Sequence, residues 1–87
     1  MYLIMVYDIN EKRCAKVLKI GRKYLTWVQN SVFEGEISEA KFFKMKQELK
    51  KIINEKEDII VFYVFPIKSY TDRQIIGIDK TQGSIII

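Results

Sequence analysis

An α+β sandwich, with two helices on one face of an antiparallel sheet, is the fold class this sequence predicts, and three observations predict it. Two uninterrupted apolar runs, residues 2–7 and Ile59–Phe65, have the length of strands and are rich in aromatic and β-branched side chains. Two longer stretches, Glu11–Tyr24 and residues 39–54, repeat their apolar positions at helical spacing. These elements alternate along 87 residues, and a further β-favouring stretch separates the helices.

The first run, Tyr2-Leu3-Ile4-Met5-Val6-Tyr7, ends on a carboxylate, Asp8. A run that is apolar at every position suits a strand covered on both faces. Asp8 is then either a helix-entry residue or a site. With Asn10 as N-cap the helix begins at Glu11, where an acid meets the positive end of the macrodipole, and Asp8 is left without a local task. The plainer alternative is a solvated strand end. Within the helix, Cys14, Val17, Leu18 and Gly21 share one side, which Tyr24 and Leu25 extend. On the other side Lys12, Lys16, Lys19 and Lys23 follow i, i+4, i+7 and i+11, with no acid interleaved. Such a stripe is a solvated face or, because it repels itself, a seat for a phosphate backbone.

Residues 26–37 favour strand through Trp27, Val28, Val32 and Phe33, but Gln29, Asn30 and Ser31 interrupt the alternation. The expectation is one bent or bulged strand, with Gly35 at a turn or close approach. The three polar residues fit an edge facing water or a hydrogen-bonding surface for a ligand. Ser38 is the N-cap of the second helix, Glu39 stands in its first turn, and Phe42, Met45, Leu49, Ile52 and Ile53 form its apolar side. Lys50 and Lys51 complement the dipole at its end. Asp58 opens the second buried strand, which Pro66 closes. A shorter strand is expected over residues 73–78, a polar turn over 79–83 and a terminal apolar strand over 84–87.

Composition removes several kinds of chemistry. With no histidine and one cysteine, Cys14, there is no Ser-His-Asp or Cys-His nucleophile, no intramolecular disulfide and no Cys-based zinc site. A metal would be held by oxygens, which suits magnesium, manganese or calcium. The net charge of +4, from 15 basic and 11 acidic residues, is compatible with a polyanionic partner. No window of about 18 uncharged apolar residues and no secretory leader pattern occurs, so a cytoplasmic protein with no membrane contact is expected.

Length predicts one domain over residues 1–87. The element order matches the ferredoxin-like βαββαβ plan, which leaves one sheet face uncovered. Yet the strands at residues 2–7 and Ile59–Phe65 are apolar on both sides, and 48% of the chain is hydrophobic. A second copy packed sheet to sheet would cover that face, giving a face-to-face homodimer, with residues 84–87 adding to an exposed edge of the partner.

The strand end Tyr7-Asp8-Ile9, the basic helix behind it and the run Val28-Gln29-Asn30-Ser31-Val32-Phe33-Glu34-Gly35 together resemble the CRISPR-associated protein 2 family, over essentially the whole chain. The resemblance implies a ferredoxin-like homodimer that binds RNA or double-stranded DNA and acquires CRISPR spacers with the CRISPR-associated integrase. It implies a magnesium- or manganese-dependent endonuclease with Asp8 as catalytic residue and metal ligand, the two copies of Asp8 facing across the dimer axis. Ser31 and Phe33 belong to the same neighbourhood, Phe33 more as packing. Lys12, Arg13, Lys16 and Lys19 are the nucleic-acid-binding candidates. The family commonly carries arginines in the first helix and before the Val-Gln pair, whereas here that helix has Arg13, Cys14 and Lys16, and Trp27 precedes Val28. Lysine neutralises phosphate without the bidentate fork of arginine. A non-catalytic dimeric scaffold for duplex DNA and the integrase uses the same basic stripe without needing Asp8. An RNA-recognition-type domain shares the fold class and would use Phe62, Tyr63 and Phe65, but the glycines of that motif are missing from residues 58–65.

Overall fold

The computed structural model describes residues 1–68 and 72–80. Its elements are β1 (Tyr2–Asp8), α1 (Glu11–Tyr24), β2 (Thr26–Gln29), β3 (Val32–Glu36), α2 (Glu39–Ile52) and β4 (Ile59–Phe65). The strands form one sheet in the order β2-β3-β1-β4, and every pair in it is antiparallel. This is the predicted ferredoxin-like plan. Among the described residues no helix is long and apolar enough to cross a membrane.

Both helices start where their capping residues stand. The Asn10 side chain accepts from the Lys12 N–H at 3.0 Å, and Ser38 Oγ accepts from the Lys41 N–H at 3.2 Å. Each first turn holds an acid, Glu11 or Glu39, and each last turn two bases. β1 turns Leu3, Met5 and Tyr7 toward the helices, where they pack with Phe33, Val17, Met45 and Leu49. Gly21 lets α1 approach the sheet: a Cβ built there would lie 2.6 Å from the Phe33 ring. The opposite face carries Ile4, Val6, Val32, Val61 and Tyr63, in register as Ile4↔Tyr63, Val6↔Val32 and Val6↔Val61. Ile59 and Tyr63 are 57% and 54% exposed there, so the second apolar face expected from the sequence is present and open.

Two expected strands differ. Residues 26–37 form a hairpin, β2 and β3, rather than one bent strand. Asn30 takes a positive φ of 35°, which asparagine tolerates, so the polar interruption is the turn itself. A register irregularity between Trp27 and Gln29 is the bulge that was expected within a single strand. Residues 73–78 form no strand and contribute one isolated bridge at Ile78. Gly77, at φ 109°, breaks the extended run, Ile76 is fully exposed, and Arg73 is ion-paired to Glu34 on β3. Residues 84–87, expected as the terminal strand, lie outside the described residues.

Candidate nucleic-acid interface

Asp8 is the last residue of β1, exposed, opposite Ile59 of β4 on the open side of the sheet. Beside it lies the β2–β3 turn, held by the Tyr7 N–H donating to the Ser31 carbonyl at 3.1 Å. The α1 N-terminus follows within three residues. From there Lys12, Lys16 and Lys19 run outward along α1, all exposed and making no ion pair among the described residues. At 1.5 Å per residue they cover about 10 Å, the reach of one or two nucleotides. Lys23, the fourth lysine of the stripe, is different: it pairs with Glu48 of α2, which also accepts from the Tyr24 hydroxyl. These contacts hold the Glu48 carboxyl below its ordinary range and raise the Lys23 ammonium.

Arg13, expected among the nucleic-acid-binding residues, is instead engaged within the fold. Its Nε donates to Asp58 Oδ2 at 2.6 Å, Nη2 donates to Asp58 Oδ1 at 3.0 Å, and Nη2 also reaches Glu57. Asp58 has a fully buried side chain, and it accepts further from the Asn10 N–H at 2.9 Å and the Asn54 N–H at 2.8 Å. One carboxylate thereby ties the start of α1, the end of α2 and the start of β4. The Arg13 guanidinium foremost, then the two backbone donors, hold its pKa well below the usual carboxylate range, against the effect of burial. Sequence reasoning read Asp58 as a strand opening and missed this clasp. The available signal was a lone arginine among the lysines of the α1 N-terminal half, because a guanidinium fork suits two-pronged carboxylate pairing.

Phe33 is fully buried beneath Gly21, its ring 6.2 Å from that of Tyr7. Tyr7 is pushed above its ordinary pKa chiefly by burial, partly offset by a hydrogen bond with Ser31. Phe33 therefore supports the strand that presents Asp8 and does not face solvent. No group of three or more Asp, Glu or Cys side chains among the described residues forms a metal cage. One exposed carboxylate does fit a hydrated magnesium or manganese ion, whose oxygen shell is completed by water and substrate phosphate.

Comparison with known proteins identifies the family of the chain. The family described as CRISPR associated protein Cas2 matches residues 1–73. A protein of Dictyoglomus turgidum named CRISPR-associated endoribonuclease Cas2 is 54% identical over 87 residues, covering 100% of both chains. One of Thermotoga maritima with the same name is 52% identical over 86 residues, covering 99% of each. A solved structure described as the crystal structure of Cas2 superposes with a TM-score of 0.84 at 44% identity, over 100% of this chain and 98% of the other. The chain therefore belongs to the CRISPR-associated protein Cas2 family.

Proposed function

We propose that this chain is a CRISPR-adaptation protein that cleaves phosphodiester bonds of RNA, with double-stranded DNA as a second substrate, in a magnesium- or manganese-dependent reaction centred on Asp8. The observation that carries the reading is the exposed Asp8 carboxylate at the end of the strand that leads into α1, whose Lys12, Lys16 and Lys19 make no ion pair among the described residues. Endoribonuclease names among relatives 52–54% identical support it. Lys12, Lys16 and Lys19 would hold successive phosphates, while Arg13, engaged with Asp58, would act on α1 rather than on substrate. Asp8 would hold the divalent ion, which when bound supplies positive charge against the phosphoryl oxygens and acidifies water.

The working unit in this reading is a homodimer, with a second copy on the open face of Val6, Val32, Val61 and Tyr63, and the CRISPR-associated integrase as its partner. Two Asp8 carboxylates about 4 Å apart repel by about 4 kcal/mol at an effective dielectric of 20, which a shared cation would offset. One observation favours the alternative of a non-catalytic duplex scaffold: among the described residues no group of three or more acidic side chains forms a preformed cage, and the nearby Asp58 is taken up by Arg13.

Asp8→Asn separates the two. It keeps size and an acceptor while removing the charge, so metal-dependent cleavage should fall by orders of magnitude, and affinity for nucleic acid should hold or rise. Equal cleavage by variant and parent would remove Asp8 from the site. A parent protein that cuts neither RNA nor duplex DNA with magnesium or manganese leaves the scaffold.

A further inference from the structure

A groove between α1 and the β2–β3 hairpin plays no part in the reading above. It encloses about 440 Å³ and is lined by Tyr7, Leu18, Arg22, Trp27, Asn30 and Ser31, among others. Tyr7 precedes Asp8 in β1, and its N–H is bonded to Ser31, so the groove reaches the end of the sheet that carries Asp8. The Trp27 Nε1–H donates to the Asn30 carbonyl at 3.1 Å, which anchors the polar edge of the indole, while the ring packs partly against the core.

The charge around this ring is of one sign. The Arg22 guanidinium lies 5.9 Å from the Trp27 ring centroid and the Lys80 ammonium 6.0 Å from it. Among the described residues Arg22 makes no ion pair and no carboxylate lines the groove. Lys19, of the unpaired lysine row, stands one helical turn before Arg22 on α1. An indole overlain by mobile cations suits a ligand that has a flat π-face to take their place on the ring and an attached anion to take up their charge. A nucleotide in a single strand has both.

We propose that this groove takes one unpaired nucleobase of an RNA strand, stacked on Trp27, with the adjoining phosphate held by Arg22 and Lys19. The assignment rests on the reading of the chain as a binder of RNA. It gives that reading a preference for unpaired segments, because a base inside a duplex keeps its stacking partners and cannot enter the groove.

Trp27 is the sole tryptophan, so its fluorescence reports the groove directly. The experiment titrates the full chain, with chelator present so that nothing is cleaved, using a short single-stranded RNA, the same RNA as a duplex, an equally long oligomer of abasic residues and a free mononucleotide. Saturable quenching by the single strand is expected, with binding of the abasic oligomer weaker by roughly tenfold. With binding followed by the anisotropy of an end-labelled oligomer, which needs no tryptophan, Trp27→Ala should lose a similar factor for the single strand and nothing for the abasic oligomer, and Trp27→Phe, which keeps a stacking face, should retain most of the affinity. Quenching of the parent by the abasic oligomer or the duplex as strongly as by the single strand would overturn the proposal, as would equal affinity for the free mononucleotide. So would single-strand affinity in Trp27→Ala equal to the parent's. Because the readout is metal-free, failure of the groove is distinct from failure of the nuclease, which is read as absent cleavage when magnesium is added.

Discussion

The two flanks of α1 carry the same charge and put it to opposite uses. On the flank toward α2 and β4 Arg13 is locked onto Asp58, and at the C-terminal end of the lysine row Lys23 is locked onto Glu48, so these cations hold elements together. On the outer flank Lys12, Lys16 and Lys19 meet no acid among the described residues. A buried carboxylate cannot be left without its counter-charge and donors, whereas an exposed ammonium can wait for a partner in water. One helix thus separates charge for stability from charge for binding, and the separation is visible only once the partners, 45 residues away in the case of Asp58, are in place.

Changes on the inner flank test whether it is structural. Asp58→Ala should have the largest effect, because it strands Arg13 and the Asn10 and Asn54 N–H groups together; a fall in Tm on the order of 10 °C is expected. The same carboxylate has a depressed pKa in the folded state, so its contribution is present at neutral pH and is lost as pH falls below about 4, the ordinary aspartate value. The Tm gap between parent and variant should therefore narrow from pH 7 toward pH 3, as measured by calorimetry, and a gap constant with pH would detach Asp58 from the clasp.

Gly21→Ala comes next in size. The added methyl would meet a Phe33 ring that is fully buried and has little room to swing away, for a loss of about 1–3 kcal/mol in urea unfolding. Glu48→Gln should have the smallest effect. It weakens a surface contact, and Tm should scarcely move, which would mark the Asp58 clasp rather than the Lys23–Glu48 pair as the fastening of α1.

Local signals explain how much of this was legible in the sequence. The start of α1 was readable because Asn10 caps by its own side chain, and Ser38 did the same for α2, which ends at Ile52 rather than running through Asn54. Both long strands were readable from unbroken apolar runs, but only β1 is buried: no residue of β4 is, because one side of the sheet is uncovered in the single chain. Gln29-Asn30-Ser31 was ambiguous, since polar residues mark an edge strand and a turn alike, and only the positive φ of Asn30 resolves it. Residues 73–78 have strand composition, yet Gly77 and the Arg73–Glu34 tie outweigh propensity there. Asp58 was unreadable as a clasp because its meaning lies in a long-range partner. Asp8 drew notice as a strand-end acid without a capping role, and the family resemblance supplied its proposed chemistry.

The division of α1 is tested most directly by the salt dependence of binding in Lys12→Ala/Lys16→Ala/Lys19→Ala beside the parent. Each phosphate contact on a single strand contributes about −0.7 to the slope of log K against log salt, so three should account for about −2. The account predicts that the triple variant loses about that much slope on single-stranded RNA and keeps the parent's Tm. An unchanged slope would make the lysine row a solvated face and contradict the account.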